Sequence, residues 1–143
     1  MDRKLGYEIR KLNNLMHRKF MKEIKQSVGE DVTIIHAWIL KYIIRMEPND
    51  VFQKDIEREF EISKSTVTST LKLMEKKGLI TRESVDYDER LKKICITDIG
   101  KRIDYDMQEI AKRADSLMIE GIETERLNIF YEVLDEIKKN AEK

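Results

Sequence analysis

Residues 63–78 read "SKSTVTSTLKLMEKKG", and this stretch decides the fold class. Six of its first eight residues are Ser or Thr, although both residue types are mediocre helix formers. Ser63 is nevertheless a good N-cap, and Gly78 suits the position just after a helix. The apolar residues recur at helical spacing: Val67, Leu71 and Met74. The stretch therefore predicts a helix over residues 64–77 whose exposed face carries hydroxyl groups.

The segment before this helix predicts a second short helix. "VFQKDIEREF" (51–60) places three apolar side chains on one face: Phe52, Ile56 and Phe60. Asp50 with Gln53 resembles a capping box that would open this helix. "EIS" then makes a tight turn into the Ser/Thr-rich helix.

The segment after the Ser/Thr-rich helix alternates like a β-hairpin. "LITRESV" (79–85) and "KKICIT" (92–97) have strand patterns, and "DYDERL" (86–91) is the predicted charged tip. Two short helices joined by a tight turn and followed by a hairpin make a winged helix-turn-helix.

Longer helices are predicted on both sides of this module. Residues 3–27 have one apolar face, and residues 34–46 after Thr33 are apolar nearly all round, which is typical of a buried helix. The first face comprises Leu5, Ile9, Leu12, Met16, Phe20 and Ile24. Thr97 with Asp98 begins a fifth helix with predicted core positions Ile99, Ile103, Met107, Ile110, Ala114 and Leu117. After Gly121, a last helix carries Leu127, Phe130, Leu134 and Ile137. The apolar faces of the terminal helices are longer than the small winged module can cover. We therefore expect a second copy of the chain to cover them.

The exposed face of the Ser/Thr-rich helix suits the major groove of DNA. Short side chains let the helix backbone come close, and hydroxyl groups can contact phosphates or base edges. Residues 63–82 carry five bases against one acid, although the whole chain has no net charge. We therefore predict binding to double-stranded DNA through Ser63, Lys64, Ser65, Thr66, Thr68, Ser69 and Lys72. A solvated helix with a long polar cap region is the structural alternative.

The hairpin offers a second contact. Arg90 near a narrow tip can enter the minor groove, where the negative potential is strong, and Lys92 lies behind it. A neighbouring carboxylate could hold the guanidinium through a bidentate pair. Asp88, Arg90 and Lys92 are the predicted contacts, and an ordinary charged hairpin tip is the alternative.

These segments resemble the MarR family of transcriptional regulators. The resemblance is carried by "TVTSTLKLMEKKGLI" and "DYDERLKKICITDIGK", whose signature residues are Asp88, Arg90, Ile96, Thr97 and Gly100. It implies a homodimer that binds a pseudo-palindromic operator, usually as a repressor, and releases DNA on binding a phenolic or other small ligand. The chain departs from the pattern at Tyr87, where Pro is common, and at Glu89, where a base is common.

The predicted architecture is mainly α, with a small β-hairpin wing, in a single chain. Residues 33–97 form the winged helix-turn-helix DNA-binding region, and residues 1–32 and 98–143 form dimerisation helices. The resemblance places effector-binding residues at Arg18, Phe20, Ile34 and His36. An arginine near apolar walls suits an aromatic carboxylate. Each of these four residues could instead be an ordinary packing or surface residue.

Other function classes lack support in the sequence. No catalytic motif and no Cys/His cluster is present, so we expect no enzyme activity, metal or cofactor. The single cysteine, Cys95, is interpreted as an ordinary strand residue. The sequence has neither a signal peptide nor a membrane-length apolar run, so we expect a cytoplasmic protein. The functional alternative is a winged protein-interaction module without ligand response, which docks its partner through the hairpin and the acidic segment 98–143.

Overall fold

A computed structural model describes residues 3–29 and 32–143. Positions 1–2 and 30–31, which belong to the predicted dimerisation segment, lie outside the described residues. The helices are α1 Leu5–Ser27, α2 Ile34–Met46, α3 Gln53–Phe60, α4 Lys64–Lys76, α5 Asp98–Ile119 and α6 Thr124–Ala141. The strands are β1 Ile80–Val85 and β2 Asp88–Ile96, paired antiparallel. The predicted fold class, a mainly α chain with a small hairpin wing, is confirmed.

The chain divides into two compact units, residues 1–110 and residues 111–143. In the first unit, one core cluster joins α2, α3, α4 and the hairpin through fully buried side chains that include Ile39, Leu40, Ile56, Leu71 and Met74. A second cluster comprises Ile24, Val32, Met107 and Ile110. The predicted division into a winged region and dimerisation helices stays a prediction.

The cap and the end of α4 confirm the sequence interpretation. Ser63 Oγ accepts a hydrogen bond from the Thr66 N–H at 3.3 Å, and Gly78 follows the helix with φ +72°. The preceding turn is closed by Glu61, which has φ +51° at the end of α3. Because Val67, Leu71 and Met74 are all buried, the opposite face of α4 is fixed toward solvent.

The start of α3 was predicted wrongly. The helix begins at Gln53, and the Phe52 N–H donates to Asp55 Oδ2 at 2.9 Å, so Asp50 and Gln53 form no capping box. The reason lies in the neighbouring strand. The carbonyl of Val51 accepts from the Ile94 N–H of β2 at 2.7 Å, which holds this segment against the hairpin instead of in a helix.

The hairpin tip is shorter than predicted. Val85 pairs with Asp88, so only two residues, 86 and 87, form the turn. The next pair is Ser84 with Lys92, and residues 89–91 therefore lie in a bulge of β2. Charged side chains occupy positions 86 and 88–90 near the tip, so this part of the hairpin does not show the apolar alternation that marks a strand in sequence.

Two predicted core positions of α5 are exposed instead. Ile99 is 58% exposed because the inward position at the helix start is Gly100, one residue on. Leu117 is 53% exposed and lies in the second unit, where a 33-residue segment can cover little apolar surface. The middle positions Met107, Ile110 and Ala114 are buried as predicted.

The terminal helices keep large apolar side chains at their surfaces. On α1, Leu5, Ile9, Leu12, Leu15 and Met16 are exposed. On α6, Ile129, Phe130, Tyr131 and Val133 are exposed, and no residue of this helix is buried. The predicted α6 core residue Phe130 is thus 51% exposed in the single chain.

Candidate nucleic-acid interface

The exposed face of α4 forms an open depression of about 700 Å³. Six predicted DNA-binding residues line it together: Ser63, Lys64, Ser65, Thr68, Ser69 and Lys72. The seventh, Thr66, belongs to the helix cap, where its Oγ1 accepts from Ser63 Oγ at 2.9 Å. The geometry thus gathers hydroxyl groups and two ammonium groups on one surface.

Gln53 is a residue of this surface that the sequence reasoning missed. It is the first residue of α3, and its Nε2 donates to Thr68 Oγ1 at 2.8 Å. The same nitrogen lies 3.5 Å from the Lys64 carbonyl oxygen. The Ser/Thr-rich face is therefore tied to the preceding helix by a side chain. Its sequence signal was only a polar residue at the start of α3, which capping explains equally well.

Two further hydroxyls of α4 bond to their own helix. Ser69 Oγ donates to the Thr66 carbonyl at 3.0 Å, and Thr70 Oγ1 donates to the same carbonyl at 2.8 Å. Such bonds fix the side-chain rotamers of Ser and Thr within a helix. Ser69 is exposed and lines the depression, whereas Thr70 is half-buried.

The positive charge of this surface comes from Lys64 and Lys72, both of which are exposed. Arg82 contributes less than its place in the basic segment indicated. Its side chain is 26% exposed, and its Nε lies 3.2 Å from Glu75 Oε2. The charge excess of residues 63–82 is therefore partly neutralised within the hairpin and α4.

The wing holds Arg90 beside Asp88. Arg90 Nε and Nη2 donate to the two carboxylate oxygens of Asp88 at 3.2 and 3.4 Å, which is the bidentate pairing expected of a carboxylate at this place. The Arg90 backbone N–H also donates to Asp88 Oδ1 at 3.0 Å. These bonds, the backbone bond first, lower the pKa of Asp88 from its usual value. The Arg90 side chain stays 90% exposed, so its guanidinium is oriented and open to solvent.

Lys92, the third predicted wing residue, lies on the hairpin beyond the bulge. Its Nζ donates to Ser84 Oγ on the opposite strand at 2.8 Å. The side chain is exposed, so its charge remains at the surface of the wing.

The signature residues Thr97 and Gly100 connect the base of the wing to the C-terminal end of α4. Thr97 Oγ1 donates to the Gly78 carbonyl at 2.6 Å and accepts from the Gly100 N–H at 3.0 Å. A Cβ at position 100 would lie 2.2 Å from the Leu79 carbonyl oxygen. Only glycine fits this contact, and the threonine hydroxyl joins the end of α4 to the start of α5.

The four predicted effector residues occupy different environments. Phe20 and Ile34 are partly buried against the second core cluster, whereas Arg18 is exposed. His36 is 2% exposed, and its Nδ1 accepts from the Thr33 N–H at 3.3 Å. Burial, followed by the nearby charge of Lys77, lowers the pKa of His36. Thr33 Oγ1 beside it is buried and has no hydrogen-bond partner among the residues that the structure describes.

The described part of the chain gives little support for a metal site, a reactive cysteine or a membrane-spanning helix. No group of three or more His, Cys, Asp or Glu residues that could hold a metal ion occurs there. Burial, followed by the charge of Glu83, raises the pKa of the Cys95 thiol, which disfavours the reactive thiolate. Within residues 3–29 and 32–143, no helix has both the length and the apolar character needed to cross a membrane.

Known proteins share both the winged region and the whole fold. The family model of the MarR family matches residues 30–91. The Staphylococcus aureus MepR–DNA complex superposes with a TM-score of 0.82 at 21% identity, covering 97% of this chain and 99% of that chain. The heme sensor PefR from Streptococcus agalactiae, in complex with heme, gives a TM-score of 0.73 at 25% identity over 98% of this chain and 95% of that chain.

The transcription regulator MarR from Oenococcus oeni PSU-1 is also similar, with a TM-score of 0.67 at 26% identity over 95% of this chain and 99% of that chain. The family match lies on the winged region, and the fold is shared over nearly the full length. Residues 30–91 thus match the MarR family model, and the chain shares the fold of MarR-type transcription regulators over nearly its full length.

Proposed function

We propose that the protein is a homodimeric repressor that binds a pseudo-palindromic operator in duplex DNA. The observation that carries the proposal is the hydroxyl-and-lysine surface of α4, on which six side chains line one open depression. Its lysines neutralise phosphates, and its small side chains let the helix enter the major groove. The DNA complex of the similar MepR supports this assignment.

The wing adds a second contact in this proposal. Arg90, held by Asp88 and exposed to solvent, inserts into the minor groove next to the half-site that α4 reads. In a twofold dimer the two α4 helices contact half-sites about one helical turn apart, roughly 34 Å, so the operator is pseudo-palindromic.

Salt dependence tests DNA binding directly. The unaltered protein first selects duplexes from a randomised library, and affinity for a selected duplex is measured by fluorescence anisotropy between 50 and 300 mM salt. We expect log affinity to fall steeply with log salt, because phosphate contacts release counterions. The Lys64→Ala/Lys72→Ala double variant should reduce that slope by about four, because the homodimer loses two phosphate contacts in each of its two half-sites.

Lys139→Ala is the matched control, because Lys139 is an exposed lysine of α6 and is not among the six residues that line the depression. Its salt slope should equal that of the unaltered protein. Failure to enrich any duplex would instead favour a winged protein-interaction module. A full salt slope in the double variant would move the DNA contact away from α4.

We propose that the effector site lies at the start of α2, near His36. Neutral His36 with Nδ1 accepting from Thr33 carries its hydrogen on Nε2, which can donate to a ligand carboxylate. The unpartnered Thr33 Oγ1 offers a second polar group, and Phe20 and Ile34 on the second core cluster supply apolar surface. This combination suits a small aromatic carboxylate.

A thermal-shift assay with salicylate and its methyl ester tests this site. The acid should raise the melting temperature and weaken binding to the selected duplex, whereas the ester, which lacks the charge, should do less. His36→Gln should diminish the response. If the unaltered protein responds to neither compound, salicylate is not an effector, and the assignment of a carboxylate site to His36 loses its support.

A further inference from the structure

The hydroxyl groups on the α4 surface differ in what they can still offer to DNA. A serine or threonine hydroxyl has one hydrogen to donate and two lone pairs that accept. Once that hydrogen is used within the protein, the group can act outward only as an acceptor. The partners of each hydroxyl therefore determine which atoms of the double helix it can contact.

Ser69 already donates its hydroxyl hydrogen within the protein. Its Oγ donates to the Thr66 carbonyl oxygen at 3.0 Å, and a carbonyl oxygen can only accept, so the direction of this bond is fixed. Ser69 is nevertheless exposed and lines the depression. What it offers to a ligand is a pair of acceptor sites at a fixed position on the helix.

Thr68 acts as an acceptor within the protein, so its hydroxyl hydrogen is not donated there. Its Oγ1 accepts from Gln53 Nε2 at 2.8 Å, and the Lys64 carbonyl at 3.5 Å from the same nitrogen confirms that the amide presents its NH₂ group to α4. Among the described residues, Thr68 Oγ1 donates to no protein group. Its hydrogen is thus available to an acceptor outside the protein.

The groups of DNA differ in which of these two hydroxyls they can bind. Phosphate oxygens, guanine O6 and N7, and thymine O4 only accept, whereas the exocyclic amino groups, adenine N6 and cytosine N4, are the donors of the major groove. An acceptor-only serine has no favourable bond with a phosphate. It can bond directly only with an amino group of a base.

We propose that Ser69 reads an exocyclic amino group in the major groove, while Gln53 is a positioning residue that holds Thr68 as a donor toward an acceptor on the DNA. This inference rests on the proposed DNA binding through α4. It divides the surface into a base-reading acceptor, Ser69, and an oriented donor, Thr68, with the lysines at the phosphates.

Base analogues test the role of Ser69. The probe is a duplex selected by the unaltered protein, in which each adenine in turn is replaced by deoxynebularine, which lacks the N6 amino group, and each cytosine by a 2-pyrimidinone, which lacks N4. We expect Ser69→Ala to weaken binding to the selected duplex about 10- to 100-fold, because the homodimer loses one hydrogen bond in each half-site. One analogue position, substituted in both half-sites, should weaken the unaltered protein similarly and cost the Ser69→Ala variant nothing more.

Thr70→Val is the matched control, because Thr70 makes the same bond to the Thr66 carbonyl but does not line the depression. It should behave like the unaltered protein on every duplex. Unchanged affinity of Ser69→Ala, or an equal loss on all analogue duplexes, would overturn the base-reading role. If the unaltered protein selects no duplex at all, the proposed DNA binding fails as well, so the two failures differ.

A double-mutant cycle tests Gln53. Gln53→Ala and Thr68→Val should each weaken binding to the selected duplex, and Gln53→Ala should add nothing in the Thr68→Val background. The melting temperatures show whether any loss comes from unfolding. Independent, multiplicative losses in the cycle would show that Gln53 does not act through Thr68.

Discussion

Asp88 and Arg90 show how one acidic residue can serve a surface that is proposed to contact DNA. The carboxylate accepts two bonds from the guanidinium and one from the Arg90 backbone, so it fixes both the side chain and the local strand. The bulge at residues 89–91 places Arg90 outside the regular ladder, next to Asp88, which pairs with Val85. Bulges commonly re-aim a side chain in this way.

Replacing Arg90 with alanine should weaken binding to the selected duplex about tenfold, because the minor groove no longer receives a guanidinium. The melting temperature should change little, since the side chain is 90% exposed. Fluorescence anisotropy measures the affinity. Arg45→Ala on α2 removes the same charge from an exposed position outside the α4 surface and the predicted dimerisation segments, and should bind normally. Equal losses of DNA affinity in the two variants would show that Arg90 acts only through the net charge of the protein and makes no contact with the DNA.

His36 makes stability depend on pH in a defined direction. Its pKa in the folded protein lies below the ordinary value of about 6.5 of the unfolded chain, because it is buried and close to Lys77. Its contribution is therefore fully present above pH 6.5. It is lost as the pH falls below that value, because the unfolded state then binds a proton that the folded state does not.

Urea unfolding at pH 7.5, 6.5 and 5.5 should show this loss, with a slope of at most ~1.4 kcal/mol per pH unit for one proton. His36→Gln should flatten the slope. His17→Gln, at an exposed position of α1, should retain it. The same slope in all three proteins would assign the pH dependence to other groups.

At the scale of elements, the join between α4, the hairpin and α5 depends on a close contact at Gly100. A methyl group there would meet the Leu79 carbonyl at 2.2 Å and Ile96 Cγ1 at 2.8 Å. Backbone cannot yield as a flexible side chain does, so α5 must shift and strain the Thr97 bonds. Close packing against the Leu79 backbone thus explains why the signature has a glycine at position 100.

Gly100→Ala should lower the free energy of unfolding by about 1–3 kcal/mol, the usual range for forced overpacking. Urea denaturation followed by circular dichroism measures it. Gly6→Ala in α1 is the control, since a Cβ there meets nothing within 4 Å and alanine is the better helix former. That variant should be as stable as the unaltered protein or slightly more so. A fully stable Gly100→Ala protein would contradict the contact.

At the scale of the whole molecule, the terminal helices expose apolar side chains that the proposed homodimer would cover. A second copy is the occupant that the proposed pseudo-palindromic operator requires.

Phe130→Glu should therefore weaken the homodimer by at least ~30-fold, as removal of a central aromatic side chain from an interface usually does. Sedimentation equilibrium without DNA measures the dimer constant. Tyr87→Glu is the matched control, because Tyr87 is a 70% exposed aromatic on the wing. It should leave the dimer intact. An unaffected dimer in Phe130→Glu would place the interface away from this part of α6.

Helical periodicity and capping determined much of this protein from the sequence alone. The buried stripe of α4, its Ser63 cap and the alternating strands are local patterns, so they identified the winged module and its exposed hydroxyl face. The sequence missed what depends on neighbours distant in the chain. Val51 is held by Ile94, Gln53 bonds to Thr68, and Gly100 packs on Leu79, across separations that periodicity does not report. Tertiary structure alone decided that Thr68 still has a hydrogen to donate, because its oxygen accepts from Gln53 on the preceding helix.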